Sequence, residues 1–177
     1  MHSDIDFTFY IQYISNMSNK LAYTAGIFDG EGSILISVNR PHPKRETINP
    51  QHYLTACLGN TNRPLIDWLK SEFGGHIVKG GNRQAKRQQE YWIWSISSCQ
   101  ARDFLTLIYP YLRIKKEQAR LGIEFQNRRL KKGSPGKRCC RWGLTSEELS
   151  KRAWYKEQIS SLNGLTASLS KAIDINL

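Results

Sequence analysis

LAYTAGIFDGEGSI, residues 21 to 34, is a helix-length run of small and apolar residues that ends in two carboxylates, Asp29 and Glu31, each followed by a glycine. Ala22, Gly26 and Gly30 recur at i, i+4 and i+8, and residues four apart line one face of a helix, so that face is flat. A second helix can approach it closely. If the second helix is the same segment of another copy, two-fold symmetry brings two acidic ends together, an arrangement suited to divalent metal. The plain alternative is a core helix ending in a Gly-rich turn, because DG and EG are common helix stops.

The chain around this segment is strongly basic. With 26 Lys plus Arg against 15 Asp plus Glu, a formal net charge of +11 and a pI near 9.7, it should be drawn to polyanions, nucleic acid first. An anionic membrane surface is the competing partner, but no stretch reaches the roughly 18 consecutive apolar residues of a membrane span. MHSDIDF at the N-terminus is acidic, unlike a signal or transit peptide. These features lead to an expectation of an intracellular protein of a prokaryotic cytoplasm or an organelle. Cys57, Cys99, Cys139 and Cys140 are scattered or vicinal, and His2, His42, His52 and His76 are spread out, so neither a zinc site nor a disulfide framework is indicated.

After the signature segment the period changes to strict alternation. Ile34, Ile36 and Val38 fall on one face of a strand, with Ser33, Leu35, Ser37 and Asn39 on the other. PHPKRETINPQ breaks that strand, and a second follows in which Leu54, Ala56 and Leu58 alternate with Tyr53, Thr55 and Cys57. Leu65, Ile66, Leu69 and Phe73 return to helical spacing and are stopped by Gly74 and Gly75. The plan then repeats: strands at 76–80 and 91–97, a stripe of Ala101, Phe104, Leu105 and Ile108, and a helix over about 114–130. This predicts an α+β fold, α-β-β-α-β-β-α, with an antiparallel saddle-shaped sheet, helices on one face and extra C-terminal helices. By residue number, 1–17 is an N-terminal extension, 18–130 the core, and 131–177 a basic loop and C-terminal helices of the same domain. Thr145 with Glu148 forms a capping box for a last helix through about Leu162. For Trp92 and Trp94 the parity leaves two readings open, core or outer face.

YTAGIFDGEGSI resembles the signature of the LAGLIDADG homing endonucleases: an aromatic, two variable residues, Gly, two apolar residues, Asp, Gly, an acid, Gly and Ser. The resemblance implies a site-specific double-strand DNA endonuclease, probing a long pseudo-palindromic target and hydrolysing phosphodiesters across the minor groove to leave short 3′ overhangs, with intron homing as its biological role. Glu31 falls on the acid that binds the catalytic metal, with the Gly30 carbonyl beside it, and Asp29 on the acid that is more often structural. Because no second signature occurs downstream, the active molecule would be a homodimer joined along Ala22, Gly26 and Gly30.

The resemblance also implies Mg²⁺ as cofactor, with Mn²⁺ able to substitute and Ca²⁺ supporting binding without cleavage. Hard oxygen ligands suit these ions. PYLRIKKEQA places Lys115 where the family carries an active-site lysine, and GNTNRP offers Asn60 or Asn62 to position water, with Asn60 preferred. The strand face of Ser33, Leu35, Ser37, Asn39, Tyr53, Thr55 and Cys57 would meet base edges in double-stranded DNA. Arg40, Lys44, Arg45, Lys79, Arg83, Lys86 and Arg87 would extend the basic surface, as would Lys131, Lys132, Lys137 and Arg138 in RRLKKGSPGKRCCR. Competing readings are an RNA-splicing maturase that binds its intron RNA, a non-cleaving DNA-binding protein of the same fold, and an unrelated basic module whose acids only cap a turn.

Overall fold

The structure is a computed structural model that describes residues 4–39, 50–80, 90–132 and 144–174, with side chains at 12–39, 50–80, 90–128 and 144–164. The first helix, α1, runs from Asp4 to Glu31 without interruption. No Gly or Pro stands between Asp4 and Ala25, so nothing in the backbone ends the helix before the signature segment does. The boundary expected after residue 17 therefore falls inside one continuous helix. Its end is enforced at Gly32, where a Cβ would lie 2.5 Å from the Phe28 ring and 2.6 Å from the Phe28 carbonyl.

The chain then enters β1 (Gly32–Asn39) and β2 (Gln51–Asn60), crosses the helices' side of the sheet as α2 (Arg63–Phe73), and returns as β3 (His76–Gly80) and β4 (Tyr91–Ser97). These bounds agree closely with the alternation and helical stripes of the sequence. The four strands are antiparallel in the order β1-β2-β4-β3. Gly74 and Gly75 turn α2 into β3 with φ of 73° and 87°, the left-handed region that favours glycine. At the other end Asn62 caps α2, its side chain accepting the Leu65 N–H at 3.1 Å.

On the face covered by helices, Ile34, Leu54, Ala56, Leu58, Trp94 and Ile96 are buried and meet α3 (Ser98–Ile108) and α4 (Lys116–Lys132). Trp94 is thus resolved as a core residue, and its indole N–H donates to the Gly74 carbonyl at 2.8 Å. Phe104 sits at the centre of this core, with its ring 5.0 to 5.3 Å from those of Phe28, Phe73 and Trp94. Trp92 shares the same side at the sheet margin, where the Arg63 guanidinium lies 4.2 Å from its ring centroid.

Two helical boundaries differ from the expectation. A 3-10 turn at Tyr109–Tyr111 precedes α4, which begins at Lys116, the Lys115 carbonyl accepting the Ala119 N–H at 3.0 Å. The last helix, α5 (Ser146–Asp174), passes through Gly164 and beyond residue 162. Its cap is the expected one, with Thr145 Oγ1 accepting the Glu148 N–H at 3.3 Å. α5 covers the outer edge of β1: Tyr155 and Ile159 are buried, and Asn163 Nδ2 donates to the Ile34 carbonyl at 2.9 Å. An edge strand that would otherwise invite pairing is closed in this way.

Replacing Phe104 by Ala should remove the ring that three others pack on and lower the free energy of unfolding by about 3–5 kcal/mol. Urea denaturation followed by tryptophan fluorescence would measure it.

Candidate active site

The end of α1 carries the two carboxylates in opposite roles. Asp29 is nearly buried, and its two oxygens accept backbone N–H groups from the segment before α4: Arg113 at 2.7 Å and Lys115 at 2.9 Å. Amides donating to a buried carboxylate make strong hydrogen bonds, so Asp29 ties the last turn of α1 to a segment more than 80 positions downstream. In return the Lys115 ammonium donates to the Asp29 main-chain carbonyl. Lys115 is only 7% exposed, which sets aside the plain reading of a surface lysine at a helix start. Burial pulls its pKa below the usual 10.5, and the Asp29 charge opposes that shift.

Glu31, two residues on, is exposed. Its Oε2 accepts a hydrogen bond from Asn60 Nδ2 at 2.5 Å. The amide of Asn60 is held in this orientation because its Oδ1 accepts the Asn62 N–H at 2.7 Å, and Asn62 itself caps α2. A chain of hydrogen bonds thus runs from the α2 N-terminus through Asn60 to Glu31. The sequence offered Asn60 and Asn62 as alternatives, whereas the structure gives them consecutive places: Asn60 touches Glu31 and Asn62 fixes Asn60. Carboxylate and carbonyl oxygens at the end of α1 are hard donors, the chemistry that Mg²⁺ takes. Among the described residues no three His, Cys, Asp or Glu side chains cluster. Mg²⁺ ordinarily binds through one or two carboxylates and fills the rest of its shell with water and substrate phosphate.

Ala22, Gly26 and Gly30 lie together on the exposed side of α1. A Cβ built on Gly26 or Gly30 meets nothing within 4 Å. The rim of this strip is held by the Lys20–Glu72 ion pair at 2.7 Å and by Tyr23, packed edge-on against Trp68 with centroids 5.8 Å apart.

The sheet face turned away from the helices consists of the odd-numbered residues of β1, β2 and β4 and the even-numbered residues of β3. Ser33, Leu35, Ser37, Asn39, Tyr53, Thr55 and Cys57 all belong to it, as their parity predicts. Lys79 does not: it pairs with Trp92 on the helices' side and forms an ion pair with Glu90. The reason is register, since β3 presents His76 and Val78 outward opposite Ser95 and Ile93. The sequence did not single out these four outer positions: alternation in HIVKG and YWIWSIS separates two faces, and only the register with β4 shows which one is outward. Arg40, Lys44, Arg45, Arg83, Lys86, Arg87, Lys137 and Arg138 lie outside the described residues, and Lys131 and Lys132 belong to α4 with side chains outside them.

No family model matches the chain. A curated relative, the DNA endonuclease I-CreI of Chlamydomonas reinhardtii, is 27% identical over 104 residues, 59% of this chain and 60% of that protein. The match thus spans less than two thirds of the relative's length. Among solved structures, the homing endonuclease I-CvuI in complex with the I-CreI target superposes with a TM-score of 0.62 at 15% identity, covering 83% of each chain. The archaeal intron-encoded homing endonuclease I-Vdi141I complexed with DNA gives 0.60 at 16% identity, covering 87% of this chain and 96% of its own. The LAGLIDADG meganuclease I-AabMI gives 0.53 at 18% identity over 76% of this chain and 44% of its own. At these identities the structures establish the fold, that of the LAGLIDADG endonucleases. The signature at the end of α1 and the sequence match make the chain similar to I-CreI in sequence as well.

The buried ammonium of Lys115 has a measurable signature. Its folded pKa lies below the unfolded value near 10.5, so between the two the unfolded chain holds the extra proton and stability rises with pH. Unfolding free energies measured along that alkaline interval should climb more steeply for the wild type than for Lys115→Met.

Proposed function

We propose that the chain is a site-specific double-strand DNA endonuclease that acts as a homodimer with Mg²⁺. The observation that carries this reading is the exposed strip of Ala22, Gly26 and Gly30 leading directly to the Glu31–Asn60 pair. Glycine inside a helix costs about 1 kcal/mol relative to alanine. Among the described residues no neighbour requires Gly26 or Gly30 to lack a side chain, whereas a second copy of α1 in close contact would. Two-fold pairing along this strip would set two Glu31 carboxylates side by side, one for each DNA strand.

Within each site Glu31 and the Gly30 carbonyl would hold the metal, which when bound supplies an activated water and stabilises the leaving oxygen. Asn60 orients the Glu31 carboxylate and leaves its other oxygen available. Lys115 offers a positive charge from a shielded position, where it offsets charge on a phosphate more effectively than a solvated lysine could. The outer sheet face would lie in the major groove, and the net charge of +11 favours association with the phosphate backbone. The I-CvuI and I-Vdi141I structures, both solved with DNA, support this substrate. A long target of two related half-sites follows from the symmetry.

The reading is tested by cleavage of a randomised duplex library with Mg²⁺. One pseudo-palindromic site should be cut on both strands, and Glu31→Gln should slow cutting by about a hundred-fold or more while leaving binding intact. An unchanged rate in Glu31→Gln would refute the assignment. Separately, Gly26→Leu should fold at least as stably as the wild type yet sediment as a monomer, because its new side chain obstructs only the second copy. A Gly26→Leu dimer in sedimentation equilibrium would remove the basis for the pairing.

A further inference from the structure

The outer face of the sheet is unusual in what it lacks. Among the described residues on that face there is no Lys, Arg, Asp or Glu. The polar groups present are largely engaged with one another: Ser37 and Thr55 share a hydrogen bond at 3.1 Å, Tyr53 donates to Asn39 Oδ1 at 3.3 Å, and Ser95 meets His76 Nε2 at 2.9 Å. Between them stand branched apolar side chains, Leu35 on β1, Ile93 on β4 and Val78 on β3, the last 47% exposed. Ile93 and Val78 are cross-strand partners, so they form one apolar patch. Cys57, on the same face, has its thiol pushed up in pKa by burial and is uncharged at neutral pH.

Base pairs differ in what they ask of such a surface. Guanine is ordinarily read by Arg or Lys at O6 and N7, and the cytosine amino group by Asp or Glu. Thymine alone presents a methyl group, and adenine is matched by Asn or Gln. The described strand residues of this face include none of the Arg, Lys, Asp or Glu that ordinarily read G·C, while Leu35, Ile93 and Val78 suit thymine methyls and Asn39 suits adenine. Resting on the nuclease reading above, we propose that the strands select A·T-rich half-sites by apolar contact with thymine methyl groups, and that sequence-independent attraction to phosphate comes from cations elsewhere in the chain. Binding should accordingly divide into two separable parts. The salt-dependent part is indifferent to sequence, and the selective part is carried by methyl burial.

The test uses the full chain with Ca²⁺ and a randomised duplex library at physiological salt. Bound sequences are recovered, and each thymine of the selected site is then replaced in turn by deoxyuridine, which deletes only the methyl and leaves the protein unaltered. The expected result is an A·T-rich half-site in which several replacements each weaken binding about four-fold, the worth of one buried methyl. In Leu35→Ala, one of these replacements should lose its effect. A specific site that is rich in G·C under the strands, or indifferent to every methyl, would overturn this inference and leave the nuclease reading standing. Failure to recover any specific duplex would overturn both.

Discussion

The Asp29 carboxylate fastens the signature helix to the rest of the molecule. Two main-chain N–H groups, from Arg113 and Lys115, converge on it in a nearly buried setting. Left unpaired there, that carboxylate would be costly. The same clamp fixes the residues just before α4, whose amides at 113 and 115 donate to Asp29. It also carries the Lys115 side chain to the last turn of α1, where the ammonium meets the Asp29 carbonyl. A buried acid thus fixes a lysine beside the end of α1, while the acid two residues later is exposed.

The second support of the site comes from the opposite direction. Asn62 begins α2 by capping it, its N–H fixes the Asn60 amide, and Asn60 holds Glu31. Helix initiation and carboxylate orientation therefore share one short peptide. Both supports rest on the packed side of the sheet, where Phe104 joins the rings of Phe28, Phe73 and Trp94. Phe28 precedes Asp29 directly, so burial of that ring sets the direction in which both acids emerge. Gly32 then lets the backbone pass against the same ring as it turns into β1.

The two sides of the molecule are specialised by this arrangement. α5 closes the β1 edge with Ile159 and Asn163, and α3 and α4 cover one face of the sheet. Among the described residues no helix covers the other face. An open sheet face in a protein of this charge is suited to a polyanion, yet its strand residues carry no formal charge of their own. Among the described residues, the positive charge thus lies away from this face, which is polar and apolar but not ionic.

Much of this was legible in the chain itself. Alternation from Ser33 to Asn39 and from Tyr53 to Gly59, and the stripes of α2 and α3, are local consequences of periods of two and 3.6 residues, and they determined the elements and their inward faces. The signature segment determined the small-residue strip and the position of both acids. What alternation could not decide was register across strands: only pairing with β4 turns Lys79 to the helices' side and His76 and Val78 outward, because a shift of one residue exchanges the faces. Nor could spacing distinguish Asn60 from Asn62, or reveal that Lys115 is buried, since those facts depend on hydrogen bonds between segments distant in the chain. Local periodicity thus decided which elements form, and long-range packing decided which of their side chains meet.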